Sequence, residues 1–246
     1  MDEMDLREAL ATGEKLQEIV AMATANREVF KEVIKLLDDD LWTVQKNALR
    51  VVTEVIREFP ELYDSLLTKL MVMLRKSEAV PLTQEIAKAF GVLAELTPES
   101  VSRIVPVIFA NYRIGDPKIK VNSIYVLEEI MRVKPELLGN VFKDLSFMLI
   151  SKDPADKLAA LNFISALSEN GLRYVTPFLP KLFALLHDRD EVVRASTVET
   201  LVAISETNDK LRKIVISKLK EMEGEQSELV KKKVDEGLSK LLLREG

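Results

Sequence analysis

A period of about 37 residues runs through this chain of 246 residues and constrains its fold more than any other feature. One aligned column of small or apolar types has successive spacings of 38, 37, 37, 37 and 37 residues and reads Ala48, Ile86, Ser123, Ala160, Thr197 and Val234. Self-similarity at a fixed period of 20–50 residues is typical of repeat proteins, in which one supersecondary unit is stacked many times.

Further columns show what each unit contains. Four residues after the first column stand Val52, Phe90, Leu127, Ile164, Leu201 and Leu238, and three residues later stand Val55, Leu93, Ile130, Leu167, Ile204 and Leu241. Because spacings of four and three place side chains on one face of a helix, each unit is predicted to end in an amphipathic helix B. A preceding helix A is predicted from the apolar column Val33, Met71, Ile108, Leu145, Leu182 and Leu219.

Helix-breaking residues recur on the same period. The connection from helix B to the next helix A is marked by Pro60, Pro98, Pro135, Asn170-Gly171 and Asn208-Asp209. Helix B is predicted to begin with an aspartate N-cap, which is followed by a first-turn proline in two units, at Asp116-Pro117, Asp153-Pro154 and Asp190-Glu191.

These patterns predict an all-α solenoid, because a single amphipathic hairpin cannot bury its apolar face unless it stacks on neighbours. We expect one domain over residues 1–246, with a degenerate N-terminal cap at 1–26 and about six hairpins at 27–61, 62–99, 100–136, 137–173, 174–210 and 211–246.

The composition removes most enzyme chemistry. The chain has no cysteine and one histidine, His187, which excludes a disulfide framework, cysteine-ligated zinc and thiol catalysis, and makes a histidine-dependent metal site or triad hard to build. We therefore expect no enzyme activity, no cofactor and no metal.

The charge and the ends of the chain point to a cytoplasmic protein. The acidic start fits no secretory signal, and no apolar run is long enough to span a membrane. A net charge of −5 does not favour general nucleic-acid binding, which needs many cations. Abundant Glu and Lys with little Gln and no Cys is a thermophile-like composition, and we expect a melting temperature of about 80 °C or more.

The row from Thr176 to Ser205 resembles a HEAT repeat. It has a proline within helix A at Pro180, a turn aspartate at Asp188 or Asp190, and a Val-Arg pair at Val193-Arg194 that opens helix B. The resemblance covers roughly residues 27–246. It is weakest in the first two rows, where Leu41 and Ala79 replace the turn aspartate and Gln45 and Thr83 replace the basic residue. It implies a right-handed α–α superhelix used as a scaffold for protein interactions.

Two sets of polar residues follow the period. The resemblance implies that cations at the start of helix B pair with the turn aspartate of their own or the next repeat, in a structural ladder of Asp116, Lys120, Asp153, Lys157, Asp190, Arg194 and Lys231. The second set lies opposite the buried columns of helix B, on the side that faces inward in the family, and reads Arg50, Lys88, Tyr125, Asn162, Glu199 and Glu236.

We interpret this second set, without its last member, as the candidate partner-binding stripe, because Arg50 and Lys88 are like-charged neighbours that cannot neutralise each other. A neighbouring column is expected to form salt bridges between repeats and reads Arg57, Glu95, Arg132, Glu169 and Glu206. Trp42, the only tryptophan, either anchors a partner or packs over the cap.

The function predicted from these features is a non-catalytic scaffold or adaptor that binds a protein or peptide on the concave face formed by the B helices. The alternative is a nucleic-acid-binding or DNA-glycosylase-like HEAT protein, but such proteins have basic, aromatic-rich clefts and this stripe is half acidic. Lyase or iron-dependent hydroxylase activity, which HEAT-like proteins also show, has no visible nucleophile or repeated His-Glu pair here.

Overall fold

A computed structural model of the chain describes residues 5–168, 172–206, 208–222 and 224–243. The contacts divide it into two compact units, residues 1–139 and 140–246. All elements among the described residues are helical, which confirms the all-α prediction. The predicted turn at Asn170-Gly171 lies outside the described residues.

The first unit contains a cap and three hairpins. Its α-helices are α1 (Leu6–Thr12), α2 (Leu16–Ala25), α3 (Arg27–Lys35), α4 (Trp42–Val55), α5 (Tyr63–Lys76), α6 (Val80–Leu96), α7 (Pro98–Ile114) and α8 (Pro117–Val133). Short 3-10 helices extend or precede them at Leu36–Asp38, Ile56–Glu58, Pro60–Leu62 and Pro135–Leu138.

Within this unit the B helices α4, α6 and α8 pack side by side, and each contacts the A helix of its own hairpin. The cap helices α1 and α2 both lie against α4, as expected for a leading half-repeat. Asp5 caps α1, and Gly13 ends it in the left-handed conformation at φ +76°, which favours glycine.

The second unit contains the remaining hairpins: α9 (Gly139–Met148), α10 (Pro154–Ser168), α11 (Leu172–Val175), α12 (Leu179–Leu185), α13 (Glu191–Ser205), α14 (Asp209–Lys220) and α15 (Glu228–Leu242), with a 3-10 turn at Thr176–Phe178. Its B helices α10, α13 and α15 also pack in series. Stacked helical hairpins are therefore present within each unit.

The columns of helix B are the core. All members of the first and third columns are buried, and in the second column only Leu238 is half-exposed. Phe90 and Phe163 are fully buried in the two units. The period therefore predicted the B-helix core almost without error.

The column of helix A contains one error. Met71 is only half-buried, whereas Leu70, its neighbour, is fully buried. The distance from the A column to the B column is 15 residues in the first hairpin, from Val33 to Ala48, and 16 in the second, from Leu70 to Ile86. The second hairpin therefore has one additional residue between its helix A column and its helix B column. No residue is inserted before its helix A.

Aspartates begin helix B as predicted in three repeats. The side chains of Asp116, Asp153 and Asp190 accept hydrogen bonds from backbone N–H groups in the first turns of α8, α10 and α13 at 2.9–3.0 Å. The first two hairpins lack this cap at the start of helix B, where Leu41 and Ala79 stand. In the first hairpin, the side chain of Asp39 instead accepts a hydrogen bond from the backbone N–H of Leu41, the residue before α4, at 2.9 Å.

Candidate functional site

The B helices of the first unit place two cations around one buried carboxylate. Arg50 Nε on α4 lies 3.2 Å from Glu85 Oε1 on α6, and Lys88 Nζ lies 3.0 Å from the same oxygen. The side chain of Glu85 is 7% exposed, whereas those of Arg50 and Lys88 are 46% and 58% exposed. We call this group the Glu85 cluster.

This geometry corrects the argument that Arg50 and Lys88 lack compensation. Glu85 stands one residue before Ile86, a member of the first B-helix column. The corresponding position is not acidic in the other repeats, so the sequence did not indicate a role for Glu85. Two cations share one carboxylate, and the cluster therefore carries one net positive charge with both cationic heads reaching solvent.

Further along the same unit, Tyr125 on α8 is half-buried. Gly91 on α6 lets the side chain of Glu129 on α8 lie close, because a Cβ at Gly91 would meet Glu129 Cγ at 2.9 Å. Arg132 Nε donates to Glu129 Oε2 at 2.9 Å. A second shielded carboxylate thus holds a second exposed arginine on these B helices.

In the second unit the remaining stripe residues are exposed, and Glu199 is also paired. Asn162 and Glu199 face solvent on α10 and α13. Lys233 on α15 lies 2.7 Å from Glu199 and 3.2 Å from Glu236, and hydrogen bonds to these two carboxylates raise the pKa of Lys233. A shallow cavity of about 210 Å³ lies beside this trio, between α13 and α15.

In the second unit, two cations of the predicted ladder pair with a carboxylate of the next repeat, but neither carboxylate is a member of that ladder. Lys157 Nζ lies 2.5 Å from Asp188 Oδ2, the turn aspartate of the next repeat. Burial raises the pKa of Asp188, but the hydrogen bond from Lys157 and one from the N–H of Asp190 outweigh it, so the net shift is downward.

Arg194 makes the next rung, but with a different partner. Its Nε and Nη2 donate to the two carboxylate oxygens of Glu225 at 2.9 Å each, and its Nη1 donates to the carbonyl of Asp188 at 2.8 Å. The hydrogen bond from Arg194 lowers the pKa of Glu225 to about 2. Glu225 was not predicted, although it stands 37 residues after Asp188 and makes the equivalent ion pair.

The other two ladder cations have no such partner within their described units. Lys120 is exposed and makes no ion pair with a described residue of its own unit. Lys231 pairs with Glu228 in its own helix at 2.8 Å. For Lys120 and Lys231 the ladder stays a prediction.

Some members of the neighbouring charged column, which begins at Arg57, form salt bridges between repeats. Arg57 lies 2.8 Å from Glu95 of the next repeat, and Glu206 pairs with Lys240. Arg132 instead pairs with Glu129 of its own helix, and Glu169 lies outside the described residues.

Two buried asparagines that sequence reasoning missed tie helix B to the preceding hairpin or cap. Asn122 Nδ2 donates to the carbonyls of Leu74 and Ser77 at 2.9 Å each, at the end of α5. Asn47 Nδ2 donates to the carbonyl of Leu10 in the cap at 2.7 Å. Both asparagines stand in one column of the repeat alignment, two periods apart. This recurrence in the sequence could have identified them.

Trp42 is 42% exposed at the first turn of α4, and Lys46 Nζ lies 5.4 Å from the ring centroid. A cation at this distance can interact with the ring face. A large part of the ring remains accessible, so the choice between an anchor and a packing residue stays a prediction.

Metal and membrane sites were also sought among the described residues. No group of three or more His, Cys, Asp or Glu side chains there lies close enough together to hold a metal ion. None of the helices in the described ranges combines the length and the hydropathy needed to cross a membrane.

Comparison with known proteins identifies the repeats. Residues 178–208 match the HEAT repeat family, and residues 38–82 match a family described as "Repeat of uncharacterized protein PH0542", a HEAT-like repeat. No curated protein matches the chain.

Several solved structures are similar in part. The archaeal HEAT-like repeats protein from Thermococcus onnurineus NA1 is 14% identical, with 99% of this chain and 98% of that chain covered and a TM-score of 0.43. A chain from a structural study of microtubule plus-end tracking by XMAP215, CLIP-170 and EB1 is 20% identical, with 86% and 90% covered and a TM-score of 0.44.

A computationally designed armadillo repeat protein for modular peptide recognition is 14% identical, with 95% and 97% covered and a TM-score of 0.41. The two family matches fall in different units, one over α4, α5 and the start of α6 and the other over α12 and α13. The chain therefore contains a recognised HEAT-like repeat in each unit, at residues 38–82 in the first and at residues 178–208 in the second.

Proposed function

We propose that this protein is a non-catalytic scaffold that binds a protein or peptide partner on the surface of its B helices. The Glu85 cluster carries this proposal. A buried carboxylate orients Arg50 and Lys88 while their charged ends stay exposed, so little side-chain entropy remains to be lost when a partner binds.

The cluster also favours a partner chemistry. Its single net positive charge suits a carboxylate of the partner, and Tyr125 in the next repeat offers an aromatic surface with a hydroxyl group, a residue type enriched at protein interfaces. In the second unit, Glu199 and Glu236 are balanced by Lys233 and by Lys232, which lies 3.9 Å from Glu236. We expect a partner segment with acidic residues for the first unit.

Affinity capture with quantitative mass spectrometry tests the proposal. Arg50→Ala/Lys88→Ala/Tyr125→Ala should lose the proteins that the wild-type chain enriches. The matched control is Arg75→Ala/Lys76→Ala on the A helix α5, which removes two exposed cations of the same unit and should retain them. If the triple variant folds, by circular dichroism, and captures the same proteins as the wild type, the assignment to the B helices is wrong.

Nucleic-acid binding is the alternative, and the charges of the second unit disfavour it. Glu199 and Glu236 lie exposed on its B helices, where a phosphate backbone would need cations. A duplex titration at low salt separates the two functions. Salt-sensitive binding that is lost in the Arg50/Lys88 variant would support nucleic-acid recognition over a protein partner.

A further inference from the structure

An aromatic cleft lies on the A-helix side of the second unit, away from the stripe on the B helices. It has a volume of about 370 Å³ and is lined by Phe142, Lys143, Ser146, Phe147, Arg173, Tyr174, Pro177 and Phe178. These residues come from α9, α11 and the 3-10 turn at Thr176–Phe178. Its volume falls near the lower end of the range for ligand sites, which is about 300–1,000 Å³.

The cleft has a fixed floor and an exposed wall. Phe178 is 2% exposed, and its ring meets that of Phe142 edge to face at 6.1 Å between centroids. Phe147, in contrast, is 69% exposed although it is among the largest apolar side chains of the unit. An exposed phenylalanine beside a preformed aromatic floor is a costly arrangement in water, and a bound apolar group would remove that cost.

Two cations stand at the cleft without acidic partners. Arg173 stacks on the ring of Tyr174, with 4.6 Å from its Cζ to the centroid, and Lys143 is exposed on α9. Neither side chain forms an ion pair with a residue in the described part of the chain. The opposite holds for most other arginines and many lysines of the molecule, such as Arg194 and Lys157, which have carboxylate partners.

We propose that this cleft binds a short acidic peptide segment of a partner protein, with one aromatic side chain inserted against Phe147 and Phe178. The flanking carboxylates of the segment would pair with Lys143 and Arg173. Charge complementarity favours an acidic segment over a basic one. The exposure of Phe147 favours a peptide over a small molecule, because a peptide backbone can also cover the wall of the cleft. The site is independent of the surface proposed for the B helices.

Fluorescence anisotropy with labelled peptides tests this inference on the full chain. The probe is a fluorescein-labelled Asp-Glu-Phe-Glu-Asp peptide, and the controls are Lys-Arg-Phe-Arg-Lys and Asp-Glu-Ala-Glu-Asp. We expect the acidic aromatic peptide to bind at least tenfold more tightly than either control. Equal binding of any control would overturn the proposal.

Matched variants locate the binding site. Phe147→Ala, Lys143→Glu and Arg173→Glu should each weaken binding of the probe at least fivefold. Ile214→Ala and Lys213→Glu on α14 make the same kinds of change at exposed positions of the same unit and should leave it unchanged. If Lys213→Glu weakens binding as much as Lys143→Glu, the effect is general electrostatics and the cleft is not the site.

Two other occupants give distinct results. Saturable binding of phenylacetate that depends on Arg173, without peptide binding, would assign the cleft to a small aromatic acid. A concentration-dependent dimer in sedimentation that Arg173→Glu dissociates would assign it to a second copy of the chain. Either result would overturn the peptide proposal.

Discussion

Arg194 and Glu225 lie in consecutive repeats and are joined by two parallel hydrogen bonds, from Nε to Oε2 and from Nη2 to Oε1, both 2.9 Å long. The two side chains are only 16% and 10% exposed. Glu225 also accepts from the N–H groups of Gln226 and Ser227, so its carboxylate orders the turn before α15. Such a bidentate pair is stronger than a single exposed ion pair.

The pair should make stability depend on pH. Because the pKa of Glu225 is about 2 in the folded chain and 4.5 is its ordinary value, the stabilisation is fully present above pH 4.5 and is lost as the pH falls towards 2. We expect Glu225→Gln to lower the free energy of unfolding by about 1–3 kcal/mol at pH 7.

Urea denaturation at pH 7 and at pH 3 measures this effect. The difference between Glu225→Gln and the wild type should shrink at the lower pH. Glu228→Gln, at an exposed carboxylate of the same region, is the control and should change the stability by less than about 0.5 kcal/mol. A difference for Glu225→Gln that stays constant between the two pH values would contradict the role given to its charge.

The register of the second hairpin can be tested with two adjacent residues. Leu70→Ala should cost about 2–5 kcal/mol, because Leu70 is fully buried and its truncation leaves a cavity. Met71→Ala should cost about 1 kcal/mol or less, since this side chain is half-exposed. Urea midpoints with unchanged slopes give both values. A larger loss for Met71→Ala would mean that the sequence alignment, which placed Met71 in the helix A column 38 residues after Val33, was right.

Asn122 should contribute to stability through its backbone partners. Asn122→Ala removes the donor for the carbonyls of Leu74 and Ser77 and should cost about 1–3 kcal/mol. Asn162→Ala, the same change at an exposed site on a B helix, should stay within about 0.5 kcal/mol. Thermal unfolding followed by circular dichroism ranks the two variants, and equal stability would show that Asn122 does not hold α8 to the end of α5.

Gly237 allows two helices to approach closely. A Cβ at this position of α15 would lie 2.7 Å from Val202 Cγ2 and 3.4 Å from Leu219 Cδ1. We expect Gly237→Ala to destabilise the chain by about 1–3 kcal/mol through overpacking. Gly224→Ala, where no atom lies within 4 Å, should be neutral or slightly stabilising. Calorimetric midpoints that rise for both variants would rule out the close contact at Gly237.

The sequence predicted the B helices well because their columns are set by burial, which repeats with every hairpin. It placed Lys157 in a ladder with Asp153 or Asp190, whereas the partner in the structure is Asp188, two residues before Asp190.

Glu85 and Glu225 were missed although both lie on the period: Glu85 stands between Asn47 and Asn122 in one column, and Glu225 stands 37 residues after Asp188. Because these columns mix residue types, they show no charge pattern, and only the folded chain brings the two carboxylates to Arg50 and Arg194. The column of helix A named Met71 instead of Leu70 as the core residue. A one-residue insertion shifts which residues face the core, and it does so without changing the residue composition.

The Glu85 cluster separates the residue that sets the charge of a surface from the residues that a partner would touch. Replacement of the shielded Glu85 by a neutral residue would double the net charge presented by Arg50 and Lys88 while leaving both exposed side chains in place. A single substitution beneath this surface would therefore change its electrostatic preference without changing the side chains that a partner touches.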